Sequence, residues 1–282
     1  VRAALVQLSV SDDPQANLGL VRDAVRQAVA GGAGFVLTPE VTNCVSASRA
    51  HQHRVLSHEE DDPMLALLRD EAARAGGWLL AGSLVLKTHD ADGRFANRSF
   101  LIDPAGTVAA RYDKIHMFDV QVSEAETYRE SAAIRPGERA VLAQTPFANV
   151  GMTVCYDVRF PHLYRALAQA GAQVLTVPAA FSPVTGAAHW EVLLRARAIE
   201  TGCYVLAPAQ TGNHATTDGK PRATWGHSMA VSPWGEVLVD AGTAPGVSFV
   251  DLDMAEVTRA RARVPALSHD RAFAPVEDGG TG

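Results

Sequence analysis

Apolar residues recur along this chain in two rhythms, short strand-like runs and helical spacing, and the two alternate from end to end. Residues 1–8 form an apolar run. Residues 14–30 then place Leu18, Val21, Val25 and Val29 at helical intervals before Gly31 and Gly34 close the segment. The pattern predicts a strand at 35–38, a helix at 64–75 with Leu65, Leu68 and Ala72 on one face, and a strand at 78–87. Residues 97–102 and 108–112 read as a hairpin, because Pro104 and Gly106 sit where a turn needs them. The second half repeats the theme. It predicts strands at 150–155, 174–178 and 204–210, helices at 161–170 and 188–201, and closing strands at 228–231, 236–240 and 247–252. Such a mixture, with no break in composition, predicts one layered α/β domain over residues 1–268. The hairpins exclude a purely parallel sheet, and the polar, Gly-rich residues 269–282 read as a tail.

Composition sharpens this picture mainly by exclusion. Of 282 residues, 47% are hydrophobic and 20% charged, which suits a large buried core and not a disordered chain. A net charge of −6 argues against nucleic acid or a polybasic membrane contact as partner, since both reward clustered Lys and Arg. No stretch has the apolar length of a membrane span, and the first residues lack the features of a secretory signal. Cys44, Cys155 and Cys203 are odd in number and widely spaced, with no CxxC pair. That pattern points away from disulfides and zinc and towards a reducing, cytoplasmic compartment.

Three segments place a reactive side chain just beyond an apolar strand, where α/β folds usually build their sites. In Phe35-Val-Leu-Thr-Pro-Glu40 a carboxylate leaves a buried strand, and partial burial is expected to raise its pKa into the range of a general base. Lys114 follows the predicted hairpin in Arg111-Tyr-Asp-Lys-Ile-His116. Cys155 ends a strand in Val150-Gly-Met-Thr-Val-Cys155 and precedes a helix opened near Pro161, so helix-terminal amides are expected to stabilise its thiolate and an oxyanion. Each has an ordinary reading when taken alone: a strand-capping acid, a solvated lysine, a buried thiol. Together they supply the base, electrophilic clamp and nucleophile of an acyl transfer.

Here the sequence resembles the nitrilase, or carbon–nitrogen hydrolase, superfamily over nearly its whole length, from Ala4-Leu-Val-Gln7 to Pro233-Trp-Gly235. The family's Glu-Lys-Cys triad matches Glu40, Lys114 and Cys155. Its further carboxylate fits Glu130 in Tyr128-Arg-Glu-Ser131, with Glu124 and Glu126 as nearby alternatives. The segments Cys155-Tyr-Asp-Val-Arg-Phe160, Lys114-Ile-His-Met-Phe-Asp119 and Trp225-Gly-His-Ser-Met229 are similar to the Nit amidases. Arg195-Ala-Arg-Ala-Ile-Glu-Thr-Gly-Cys-Tyr-Val205 leans to the Nit1 type. The resemblance implies a four-layer α-β-β-α sandwich that associates as a homodimer or larger homo-oligomer. It implies a cysteine-dependent amidase without metal or cofactor, acting on a small-molecule amide through a thioester. Deaminated glutathione is the expected substrate; the alternatives are 2-oxoglutaramate or 2-oxosuccinamate, an N-carbamoyl amino acid, or a non-catalytic interaction role on the same fold.

Around the triad, the backbone N–H of Tyr156 is expected to share the oxyanion with Lys114. Arg159 suits a substrate carboxylate by its fork geometry, or else a salt bridge with Asp157. Phe181 and Thr185 are expected in a pocket-lining loop, while His214, Lys220 and Arg222 read as a solvated Gly-rich loop, the alternative being a contact with the leaving peptide's carboxylate. His51, His53 and His58 beside acids 59–62 lack a metal-ligand framework and are expected on a solvated surface. Glu191 and Arg195 are expected to pair one helical turn apart, and Cys44 and Cys203 to pack.

Overall fold

A computed structural model describes residues 1–122 and 127–275. The first sheet contains β1 (Arg2–Gln7), β2 (Phe35–Leu37), β3 (Trp78–Lys87), β4 (Phe95–Ile102), β5 (Val108–Asp113) and β16 (Gly246–Asp251), in the order β16-β1-β2-β3-β4-β5. The second contains β8 (Val141–Gln144), β9 (Asn149–Met152), β10 (Val174–Thr176), β11 (Tyr204–Ala207), β14 (Met229–Val231) and β15 (Val237–Asp240), in the order β15-β14-β11-β10-β9-β8. Each sheet is parallel at its centre, β1-β2-β3 and β9-β10-β11, and antiparallel at its edges. Two hairpins stand outside the sheets: β6 (Asp119–Gln121) with β7 (Thr127–Arg129), and β12 (Thr211–His214) with β13 (Arg222–Trp225).

Period-two burial divides the core into layers. On β1, Ala3 and Leu5 join the cluster shared with the second sheet, while Ala4 and Val6 join the one beneath the first pair of helices. On β2, Phe35 and Leu37 face one way and Val36 the other. Helices α1 (Pro14–Ala30) and α3 (Pro63–Ala75) bring Val21, Val25, Leu65 and Leu68 to the outer face of the first sheet, joined at the edge by the short α2 (Arg49–Val55). Helices α4 (Pro161–Gln169) and α5 (Pro183–Thr201) cover the second sheet through Leu163, Leu167, Trp190 and Leu194, and α6 (Met254–Arg263) follows β16. The single-domain α-β-β-α sandwich is the one the sequence led us to expect.

Three boundaries move in ways that matter for the site. The strand expected at 150–155 stops at Met152, and Cys155 instead opens a one-turn helix, Cys155–Arg159. The helix expected from 188 begins at Pro183, a residue pre-set for the first helical turn. Thr185 therefore lies on α5 and not on a loop. In the stretch around 212–224, His214 and Arg222 lie on the paired strands β12 and β13, while residues 215–221 between them form a loop on which Lys220 is exposed, as expected. Of the candidate fourth carboxylates, Glu124 and Glu126 lie outside the described residues, and Glu130 opens a short turn, Glu130–Ala132, after β7.

Candidate active site

The reactive residues converge because Glu40 and Cys155 follow central parallel strands of the two sheets and Lys114 follows β5 at the edge of the first. Glu40 lies three residues past β2, Lys114 directly after β5, and Cys155 three past β9. Two of these exits require unusual backbone. Val41 has φ 52° and Cys155 φ 49°, a left-handed region in which a side chain other than glycine's is strained. Hydrogen bonds hold both: Val41 N–H donates to Ser83 Oγ at 2.9 Å and Cys155 N–H to the Pro178 carbonyl at 2.9 Å. Close packing at the sheet junction also demands Gly82, where a Cβ would stand 1.8 Å from the Thr38 carbonyl oxygen.

Lys114 bridges two carboxylates from deep burial. Its Nζ donates to Glu40 Oε1 at 3.0 Å and to Glu130 Oε1 and Oε2 at 2.9 and 2.8 Å. Glu130 is itself aimed by the Phe118 N–H, which donates to Oε2 at 2.6 Å. Glu40 also accepts from Asn97 Nδ2 and from the Ala180 N–H, each at 2.9 Å, and shares a hydrogen bond with the Cys155 thiol. Asn97 Oδ1 is buried and has no partner among the described residues. The Cys155 turn rests on Asp157, fully buried, which accepts from Tyr112 Oη at 2.6 Å, His116 Nδ1 at 2.7 Å and the Val154 N–H at 2.8 Å.

The electrostatics of this group correct one expectation. Burial alone would raise the Glu40 pKa, but Lys114 and then Arg222 outweigh it and hold the carboxyl below its ordinary value. Cys155 moves the other way: burial first, then the Glu40 charge, push its thiol well above the usual range against the pull of Lys114. Burial would lower Lys114, yet Glu130 and Glu40 together raise it. The resting site is thus a carboxylate, an ammonium and a neutral thiol, not the amide-stabilised thiolate expected from the strand-to-helix turn.

These groups line a cavity of about 270 Å³ together with Tyr156, Phe181 and Thr185, three residues expected there. Among the described residues the Tyr156 N–H donates to no backbone carbonyl. Arg159 does not pair with Asp157, which is occupied as above; its guanidinium lies 5.5 Å from the Phe181 ring and 5.9 Å from that of Tyr156, with His189 at 3.2 Å. It is a rim residue, half-buried against two lining rings. Arg222, taken from the sequence as solvated, lines the cavity and donates to the Ala180 carbonyl at 2.9 Å. His214 is buried between the Val10 carbonyl and Thr224, which lowers its pKa to about 4, burial being the main cause. Nothing in the local sequence signals either placement.

The remaining histidines and cysteines separate from this chemistry. His51 is not solvated but buried against the Asp12 carbonyl at 2.8 Å. His58, Glu60 and His89 bring ligand atoms within 4.8 Å of one another on the surface, outside the cavity lining. Cys44 and Cys203 are core residues, and Arg195 pairs with Glu191 at 3.2 Å as expected.

Residues 2–262 match the family model described as carbon–nitrogen hydrolase. The chain is 40% identical over 269 residues to a deaminated glutathione amidase of Yersinia enterocolitica, covering 95% of this chain and 92% of that protein. It is 37% identical to the human protein of the same name, covering 95% of this chain and 81% of that one. Among solved structures, it superposes on the Caenorhabditis elegans NitFhit protein with a TM-score of 0.87 at 33% identity, covering 96% of this chain and 65% of that longer one. It also superposes on a glutamate-to-glutamine mutant of a Nesterenkonia amidase that shows the result of Michael addition of acrylamide at the active-site cysteine, with a TM-score of 0.75, 30% identity, and 94% and 98% coverage.

Proposed function

The chain belongs to the carbon–nitrogen hydrolase family, and from that premise we propose that this cysteine-dependent amidase uses Cys155 to open a 2-oxo-acid amide, deaminated glutathione. One observation carries the acyl-transfer reading: a neutral thiol shares a hydrogen bond with an ionised, deeply buried carboxylate whose other face is held by a lysine. Glu40 takes the thiol proton as Cys155 Sγ attacks the amide carbonyl. The oxyanion settles between Lys114 Nζ and the Tyr156 N–H, donors worth about 3–4 kcal/mol each. Glu40 returns the proton to the departing amine nitrogen as the C–N bond breaks, leaving a thioester. Water then enters, gives a proton to Glu40 and attacks the thioester carbonyl, and the proton finally returns to sulfur. Glu130 anchors Lys114, and the unpaired Asn97 Oδ1 offers an acceptor to the substrate N–H or the incoming water.

The substrate assignment rests on charge. Among the described residues two carboxylates line the cavity, Glu40 and Glu130, against four cations, Lys114, Arg49, Arg129 and Arg222, in a chain whose net charge is −6. Such a cavity favours a dianion. Deaminated glutathione carries two carboxylates and 2-oxoglutaramate one. Arg159, swung from its rim position, and Thr185 are assigned to the acyl-side carboxylate, with Phe181 packing the chain between. A side-by-side kcat/KM comparison of both amides and an N-carbamoyl amino acid is the test. Preference for deaminated glutathione is the expected result; preference for the carbamoyl compound overturns the substrate assignment.

A pH profile tests the roles. With Glu40 held below its ordinary range and Cys155 far above its own, kcat/KM should stay level through neutrality. It should fall only in acid, below the ordinary carboxyl range, as Glu40 gains its proton. Glu40→Gln should remove that acid limb and lower kcat/KM by about 10²–10⁴-fold; an acid limb that persists in the variant assigns it to another group. We further take residues 1–268 as the catalytic unit and the remainder as a tail, with Asp270 paired to Arg165. The enzyme is assigned to the cytoplasm as a homo-oligomer, Val192 and Ile199 on α5 being large apolar groups left exposed. Among the described residues, no helix is long and apolar enough to cross a membrane.

A further inference from the structure

The triad and the acyl-side residues leave two cavity-lining cations unassigned, Arg49 and Arg129. They belong to one wall. Arg129 immediately precedes the Glu130–Ala132 turn, and Arg49, the first residue of α2, donates from Nη1 to the Ala132 carbonyl at 3.1 Å, so the two flank the same turn. Neither is paired to a carboxylate among the described residues. Arg49 bonds only carbonyl oxygens, those of Ala132, Asp92 and Gly93, while the nearby Asp92 carboxylate is taken by Arg94. The Arg129 side chain has no hydrogen-bonded partner among the described residues, and Asp119, which feels its charge, is held by Ser131. The wall that carries Phe181 and Thr185 comes from elsewhere, the segment between β10 and α5 and the first turn of α5.

We infer that Arg49 and Arg129 form a second anion subsite, one that grips a carboxylate on the departing amine. The assignment rests on the amidase reading above and extends it to the leaving group. Glu130 stands beside Arg129 and holds Lys114, so a carbonyl seated at Lys114 has this wall next to it. A guanidinium pair presents planar donor forks that match a carboxylate. Both side chains are exposed in the empty cavity, which suits an amine that must leave into solvent.

The test uses the full-length enzyme and two substrates with the same 2-oxoglutaryl acyl group. One has cysteinylglycine as leaving amine and the other its C-terminal carboxamide. The wild type should prefer the carboxylate by about tenfold, mainly in KM, the scale of one charge-assisted hydrogen bond. Arg129→Gln and Arg49→Gln should each erode that preference, and the double variant should abolish it, so that it hydrolyses the two substrates alike. Added salt should raise the wild-type KM for the carboxylate substrate and leave that of the double variant nearly unchanged. Equal wild-type rates on both substrates, or equal losses on both in the variants, overturn the subsite and leave the amidase reading standing. A wild type that hydrolyses neither overturns the amidase substrate, and the subsite falls with it.

Discussion

Replacing Cys155 with alanine is expected to reduce amide hydrolysis to background, a loss on the order of 10⁴–10⁶-fold, in a protein that remains folded. No other described thiol can substitute: Cys203 is a core residue outside the cavity lining, and Cys44, which does line the cavity, bonds the Asp12 carbonyl at 3.4 Å with its thiol pushed up to about 12, chiefly by burial. Stability should change by less than about 1 kcal/mol, since alanine removes one sulfur from beside a carboxylate that keeps Lys114, Asn97 and the Ala180 N–H. Cys155→Gly separates chemistry from backbone. It is equally inactive, but it relieves the left-handed strain at φ 49° and so should match or exceed the alanine variant in stability. Amine release and urea denaturation on the same preparations supply both readouts. Turnover surviving in Cys155→Ala would remove the nucleophile from the mechanism.

What the sequence made legible was the part of the site that local order creates. Glu40, Lys114 and Cys155 each follow an apolar strand, and a strand's end can be read from its own residues. Helix α1 was equally readable, because Pro14 opens it and its apolar stripe is regular. Contacts across the fold were not. The Glu40 pKa depends on Lys114 and Arg222, which arrive from β5 and the β12-β13 hairpin; without them only burial could be weighed, and burial alone points the wrong way. Arg222 read as solvated because its neighbours are Lys220, Pro221 and a glycine, the composition of a loop, while its partner carbonyl belongs to Ala180. Asp157 read as a mate for Arg159, yet Tyr112 and His116 claim it from the other sheet. Short elements escaped for a different reason. β8 and α2, with few residues each, lack the length over which either periodicity becomes visible.

Lys114→Met carries the second large effect, because it acts on chemistry and stability through the same atoms. Loss of the Nζ donor should lower kcat by about 10²–10³-fold, the usual consequence of removing one oxyanion donor. It also strands two carboxylates. Glu40 is 3% exposed and keeps only Arg222, Asn97, the Ala180 N–H and the thiol, so the variant should lose about 3–5 kcal/mol at neutral pH. The sign with pH is distinctive. In the wild type the lowered Glu40 pKa contributes stability that is present above the unfolded carboxyl value and is lost as acid protonates it. In the variant burial dominates and the Glu40 pKa rises, so protonation relieves the buried charge and the penalty shrinks as pH falls through the raised value. Urea denaturation at pH 7 and near pH 4 should therefore show the gap between wild type and variant narrowing in acid. Adding Glu40→Gln should recover stability at pH 7 without recovering turnover, since an amide needs no cation but cannot carry the proton. A gap that stays constant with pH, or a double mutant no more stable than Lys114→Met, would mean that the ammonium supports the fold by packing and not by neutralising Glu40 and Glu130.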